Sequence, residues 1–297
     1  MVAFMFSRRR RSKIPGPVFV GGTGRSGTTI MASLLGEHSA YHLIPIEARF
    51  HTEAAGFVGL TAGKVTPEQF RESMLGHYFH RTVNNGSARG LHLAGVQRDT
   101  LESAVERYLK KYQSDSAAAG ADLMSSIFDP LVEQSQAHSW VEMTPPNVEQ
   151  AAQLQRMFPD SRLIHIVRDG RDVAVSVASK SWGPNDPFAA LEWWGTRLRR
   201  AEKEPAQPGY VMLVGFEALM DSDREGQFNR ICEFLEISPE ESMRAFFNEK
   251  MTTERARIGR WRRNVPEADH DRFEQAYREV VEKLRADGIS SVEVLTT

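Results

Sequence analysis

The stretch Gly22-Thr23-Gly24-Arg25-Ser26-Gly27-Thr28-Thr29 is built from residue types that bind anions. Glycines let a backbone turn its N–H groups onto a ligand, and the hydroxyls of Ser26, Thr28 and Thr29 add donors. Gly22 and Gly27 are spaced as in the phosphate-binding pattern Gly-x4-Gly-Lys-Ser/Thr, but Thr28 stands where the lysine should be. That lysine reaches the β- and γ-phosphates of a nucleoside triphosphate, so its absence argues against ATP or GTP. The cation, Arg25, sits inside the loop instead. The chemistry implied is capture of a phosphate-bearing donor other than a triphosphate.

A second group of such residues follows the apolar run 162–167. Arg168 and Asp169 close that run, and Ser176 comes two helical turns later. One guanidinium and one hydroxyl on the same side suit a single dianionic phosphate. An Arg-Asp pair also serves to tie a strand end to a helix, and the upstream loop tips the balance toward phosphate.

These residues need elements to hold them. The β-branched and aromatic run Val18–Gly21 stops at the Gly-rich turn, and a helical pattern begins with Ile30, Met31, Leu34 and Leu35. Strand–loop–helix is the context in which a helix N-terminus cradles a phosphate. Further strands are expected over 140–143, 162–167 and 210–214. Helices are expected over 30–36, 147–157, 170–181, 188–203, 224–236, 239–248 and 266–286. Strands separated by helices predict an α/β fold, a P-loop-like parallel sheet with helices on both faces. Arg168 then falls at the carboxyl end of a central strand, where open sheets bind ligands. Residues 53–138 show helical periodicity and no convincing strand, which predicts a helical insertion able to receive a second substrate. Residues 17–297 are read as a single domain and residues 1–16 as a disordered tail.

Bulk properties narrow the class. The 297 residues carry 41% hydrophobic and 26% charged side chains, ordinary for a soluble globular chain. A net charge of −2 supplies no basic field for nucleic acid. The single cysteine, Cys232, excludes an internal disulfide, fits a reducing cytoplasm and is spaced as a core residue among Phe228, Ile231 and Leu235. No apolar stretch reaches the ~18 residues of a membrane span. Arg8–Arg11 follow the short apolar N-terminus instead of preceding it, the wrong order for a secretory signal, and leave weak contact with anionic lipid as the alternative to a plain tail.

Together the two anion-binding segments resemble the sulfotransferases that use 3′-phosphoadenosine 5′-phosphosulfate (PAPS), closest to the bacterial branch and the related tyrosyl-protein sulfotransferases. The resemblance runs over about 17–51 and 140–265. It implies that Arg25, Ser26, Gly27, Thr28 and Thr29 hold the 5′-phosphosulfate, and that Arg168 and Ser176 hold the 3′-phosphate. It also implies that Arg257–Arg263, with Arg260 and Trp261, form a basic loop over the nucleotide. Val214–Leu219 is similar to a Tyr-Glu-x-Leu segment of the family, with Phe216 for the tyrosine. A donor with two separated phosphate centres and no γ-phosphate explains two anion sites without a lysine. The transferred sulfuryl group is less charged than a phosphoryl group, so side-chain cations replace a metal ion. His38, His42 and His51 have no clear third ligand.

Sulfuryl transfer to a hydroxyl needs a base, in-line placement and positive charge at the leaving oxygen. Arg25 is the natural electrophilic stabiliser. The resemblance puts a catalytic glutamate after the first helix, which favours Glu47, with His51 and Glu53 as rivals and Arg49 able to orient it. Relatives carry a lysine where this chain has Met143, so Arg25 or Arg49 must take its burden, or activity is low; Glu142 is a second base candidate. Trp182, Trp193 and Trp194 are read as core, with stacking on adenine or lining the acceptor cleft as the alternative. Arg197–Arg200 are read as a solvated helix face. The expected reaction makes a sulfate ester and releases adenosine 3′,5′-bisphosphate (PAP). A P-loop kinase of a small metabolite and a catalytically decayed nucleotide-binding protein are the competing readings. The acceptor, whether lipid, carbohydrate, phenol or peptide, and the oligomeric state are not readable from the residues.

Overall fold

The computed structural model describes residues 16–81 and 89–295. The expected tail over residues 1–16 lies, but for Gly16, outside them. Five parallel strands, β1 (Val18–Gly21), β2 (Tyr41–Leu43), β3 (Ser139–Glu142), β4 (Arg162–Val167) and β5 (Val211–Gly215), form one sheet in the order β2-β3-β1-β4-β5. The α/β fold predicted from the strand–helix alternation is the one observed. β2 was not foreseen. Its three residues are too few to show a period, and it exists because Tyr41, His42 and Leu43 pair with Ser139, Trp140 and Val141 of β3.

Alternating side chains build two faces, as a sheet covered on both sides requires. Val18 and Val20 of β1, with Ile164 and Ile166 of β4, pack against the helices Thr28–Gly36, Arg224–Phe234 and Glu241–Lys250. Phe19 and Leu163 face the other way, into the helices between β2 and β3. Val167 and Leu213 meet the helices Gly170–Ala178, Pro187–Ala201 and His270–Ala286. His165 is buried on that same face, where desolvation lowers its pKa to about 4 and keeps it neutral. Among the described residues 53–138 contain no strand; their main helices are Arg98–Lys111 and Ser116–Ser135. No described helix is long and apolar enough to cross a membrane.

Caps show which helix ends are left for a ligand. Asp115, Asp169 and Asp186 each accept a backbone N–H of the helix they precede. The helix Thr28–Gly36 has no side-chain cap: its N-cap is Gly27, at φ 108°. Its first N–H groups stay available at the carboxyl end of β1. The chain leaves β1 toward β2 on one side and leaves the adjacent β4 toward β5 on the other. Such a reversal opens a crevice beyond the strand ends.

Gly27 is confined twice, by its positive φ and by Phe216, whose ring would lie 2.6 Å from an added Cβ. Gly27→Ala is expected to destabilise the fold by about 2–4 kcal/mol, the strain of a left-handed alanine plus overpacking. Gly63→Ala, at φ 66° with open space around it, carries the strain alone. Urea denaturation of both variants checks that the first loses clearly more.

Candidate active site

Every loop that leaves the sheet at its carboxyl edge contributes to one site. After β1, the chain turns through Gly24 at φ 88°, Arg25 at φ 61° and Gly27. Gly22 N–H donates to the Pro145 carbonyl at 2.9 Å, which fixes the start of the turn. Ser26 is fully buried and its Oγ has no partner, while the Arg25 and Thr29 side chains are exposed. Arg25 Nε donates to Ser176 Oγ at 3.0 Å, so the first anion segment meets the second. Ser176 thus pairs with Arg25, and among the described residues no hydrogen bond joins it to Arg168.

Arg168 is held from three sides. Its Nη2 donates to the carbonyls of Ala256 at 2.9 Å and Arg257 at 3.3 Å and to Asp172 Oδ2 at 3.3 Å. The guanidinium lies 4.4 Å over the Phe216 ring. Its Nε is buried without a partner, a donor left for an anion. Asp172 also accepts the N–H groups of Gly259 at 2.9 Å and Trp261 at 3.1 Å, which ties the segment 256–261 to the site. Burial raises the Asp172 pKa, against the lowering effect of those donors and Arg168.

That segment brings more cations. Burial lowers the Arg260 pKa, and the charges of Arg168, Arg25 and Arg257 lower it further. Among the described residues Arg25, Arg257 and Arg260 pair with no carboxylate. Arg257, Arg260 and Arg263 line a pocket of about 540 Å³ with Ile258, Asn264 and Glu254. The Trp261 ring is not in it. It is packed in the core against His270 and Phe273, so Trp261 anchors the loop through its backbone and does not offer its ring to a ligand. A cavity of about 590 Å³ at the opposite, amino edge of the sheet contains none of these residues.

On the other side of β1 the candidate base residues lie on the segment that follows β2. Arg49 Nε donates to Glu47 Oε2 at 2.7 Å, and Arg49 Nη1 donates to Glu53 Oε1 at 2.9 Å. Burial opposes the Arg49 charge, but the two carboxylates outweigh it and raise its pKa. Its backbone is left-handed, φ 60°, with the N–H on Thr144 Oγ1 at 3.1 Å. Glu142, offered above as a second base, is corrected here. It is fully buried and accepts from Ala48 N–H, Thr144 N–H, Thr144 Oγ1 and Asn147 Nδ2 at 2.5–3.1 Å. It shapes the loop that carries Glu47. His51 is likewise buried, 2.6 Å from Asn147 Oδ1, and is not presented to a substrate. Met143 is core.

Two further readings change. Trp194 is core, but Trp182 is 56% exposed, and Trp193, partly buried, packs beside it. Arg197 is not on a solvated face. Its guanidinium is paired to Glu149 at 2.7 Å, and burial lowers its pKa, with Arg49 among the charges that add to the effect. Asp172, Glu149 and Arg197 were not assigned roles from sequence, since only their tertiary neighbours define them. Among the described residues no three His, Cys, Asp or Glu side chains gather as a metal site.

An α/β sheet with an uncapped helix start and, among the described residues, unpaired arginines at its carboxyl edge has the layout of an anion-binding site. The model of the sulfotransferase family matches residues 17–241, and the chain belongs to that family. It is 24% identical over 284 residues to an uncharacterized protein of Aquifex aeolicus (strain VF5), a match over 91% of this chain and 30% of that protein's length. Among solved structures it is similar to the sulfotransferase domain of the Synechococcus PCC 7002 olefin synthase, at 19% identity and TM-score 0.49, over 89% of this chain and 94% of that one. It is also similar to sulfotransferase STF1 of Mycobacterium tuberculosis H37Rv, at 15% identity and TM-score 0.47, over 79% and 71%.

Glu217 gives the site a pH dependence. Its Oε1 accepts the Asp169 N–H at 3.1 Å, and its Oε2 is buried without a partner. Desolvation, then the Asp169 charge, raises its pKa from 4.5 to about 7. The folded state therefore holds this proton more tightly than the unfolded chain, so stability falls as pH rises from about 4.5 to 7. Glu217→Gln removes that loss. The variant is expected to gain on the order of 3 kcal/mol over the wild type between pH 4 and pH 8, read from denaturation midpoints at both.

Proposed function

We propose that this protein transfers a sulfuryl group from PAPS to an acceptor hydroxyl and releases PAP. Two anion-receptive places on either side of Phe216 support this reading. One is the uncapped helix start at Gly27 with the buried, unpartnered Ser26 hydroxyl; the other is Arg168 with its unpartnered Nε. A 5′-phosphosulfate fits the first and a 3′-phosphate the second. Arg260 and Arg257 add charge to the nucleotide side, Ser176 orients Arg25, and Trp261 anchors the loop.

In this reading Glu47 takes the proton of the acceptor hydroxyl as its oxygen attacks sulfur. The bond from sulfur to the bridging phosphate oxygen breaks, and Arg25 neutralises the charge that develops on that oxygen. Arg49 fixes the Glu47 carboxylate, and the described helices of residues 53–81 and 89–138 border the acceptor side. The residues assigned to the donor are all protein cations, hydroxyls and N–H groups, so transfer proceeds without a divalent metal. Residues 17–297 act as one domain.

Sulfated product from labelled PAPS and a panel of hydroxyl acceptors tests the reaction; phosphorylated product from Mg-ATP would replace it with the kinase reading. Calorimetry tests the donor assignment. Arg168→Ala is expected to weaken PAP about ten- to hundredfold while hardly changing adenosine 5′-phosphosulfate, which lacks the 3′-phosphate. Equal losses would remove Arg168 from that role.

The chemical roles separate in a second experiment. Arg25→Ala is expected to reduce turnover on the order of 10²–10³-fold, with a smaller effect on donor binding. Glu47→Gln is expected to keep donor affinity and slow transfer by roughly 10²–10⁴-fold to an alcohol, less to an acidic phenol. Wild-type turnover in Glu47→Gln would pass the role of base to Glu53.

A further inference from the structure

Three large hydrophobic side chains are exposed among the described residues, Leu93, Trp182 and Ile258. Trp182 differs from the other two in what stands beside it. Its ring centroid is 6.0 Å from that of the partly buried Trp193, and the rings are tilted by 52°, so the two indoles form one aromatic shelf with Trp182 at its exposed end. Trp193 in turn reaches to 3.9 Å from where a Cβ on Gly24 would stand. The shelf therefore abuts the phosphate loop next to Arg25.

Its position relative to the loop decides which substrate it serves. Phe216 and Arg168 lie against the Gly27 end, with Arg260 and Arg257 beyond them. Trp193 lies against the Gly24 end. Arg197 sits 5.8 Å from the Trp193 ring centroid and within electrostatic reach of Arg49, which holds Glu47. One wall thus runs from Trp182 through Trp193 and Arg197 to Arg49 and the proposed base. A molecule with its hydroxyl at Glu47 lays the rest of its body along that wall.

We infer that Trp182 and Trp193 are specificity-determining residues of the acceptor site, and that the acceptor they select is an aryl alcohol or phenol whose ring stacks on the indoles. The inference rests on the sulfotransfer reading for its location. Tilted and offset aromatic pairs gain attraction beyond the area they bury, and a saturated ring of equal size does not. The charged residues Glu47, Arg49 and Arg197 hold the polar end, and the indoles meet the apolar end.

The test is binding of 2-naphthol to the enzyme saturated with PAP, measured by calorimetry beside its saturated counterpart decahydro-2-naphthol. The wild type is expected to bind 2-naphthol about three- to tenfold more tightly than the saturated alcohol. Trp182→Ala is expected to remove that preference, Trp182→Phe to keep most of it, and PAP affinity to stay unchanged in both. With turnover, the loss in Trp182→Ala falls on KM and not on kcat. Equal binding of the two alcohols by the wild type, or an undiminished preference in Trp182→Ala, overturns the inference. So does failure of 2-naphthol to bind while PAP binds. Sulfation of alkyl alcohols at equal efficiency overturns it while leaving the sulfotransfer reading intact, whereas loss of PAP binding in the wild type would overturn both.

Discussion

Arg260 lies within electrostatic reach of the guanidiniums of Arg25, Arg168 and Arg257 and of the buried carboxylate of Asp172, which pairs with Arg168. Like charges repel by several kcal/mol when partly withdrawn from water, so such a group needs a tether. Asp172 supplies it through the Arg168 guanidinium and the N–H groups of Gly259 and Trp261, and Arg168 reinforces it through two carbonyls of the same segment. The carboxylate neutralises one charge and leaves an excess. An excess of positive charge held by backbone hydrogen bonds is a preorganised anion site, because its cost is met in folding and not at binding.

The same economy holds on the other side of β1. Glu142 gives up solvent to gather donors from Ala48, Thr144 and Asn147, and in doing so sets the course of the chain that carries Glu47 and Arg49. Both acids are buried and engaged by backbone donors, and each holds a loop at the carboxyl edge of the sheet. Among the described residues, three of the five non-glycine residues with positive φ are arginines on these loops, Arg25, Arg49 and Arg257. A left-handed arginine is strained, and strain persists only where the surroundings over-determine it. Here Ser176 fixes Arg25, Thr144 and the two glutamates fix Arg49, and the Arg257 carbonyl accepts a hydrogen bond from Arg168.

The sequence made legible what local chemistry decides. Val18–Gly21, the glycine loop and the following helix form one continuous strand–turn–helix signal, and the apolar run into Arg168 and Asp169 is another. What stayed hidden depended on partners far along the chain. β2 is three residues long and defined by pairing with β3, 98 residues away from Tyr41 to Ser139 in register. Trp182 and Trp193 have the character of core residues, and only the fold shows Trp182 exposed and Trp193, partly buried, beside Gly24. Arg197 has the spacing of a surface helix residue, yet Glu149 and burial draw it inward. Glu142 was visible as an acid at a strand end, but the turn that brings Thr144 and Asn147 back onto it, and the distant Ala48 N–H, appear only in the folded chain.

Met143 shows how the two halves accommodate each other. The resemblance led to the expectation of a lysine there, at the end of β3. In the folded chain that side chain is core, packed with Val141, Val18 and Met31 on the face that carries the helix Thr28–Gly36. A charge at that point would be stripped of water among apolar neighbours, at a cost of several kcal/mol unless it found a partner. The cations of this site come instead from loops, where each guanidinium can reach the crevice from a solvated edge. Two such loop arginines, Arg25 and Arg49, stand on left-handed backbone on either side of β1, whereas Arg260 keeps ordinary helical angles. The buried acids Asp172 and Glu142 hold the backbone on which such loop cations stand: Asp172 accepts from Gly259 and Trp261, and Glu142 accepts from Ala48, next to Arg49.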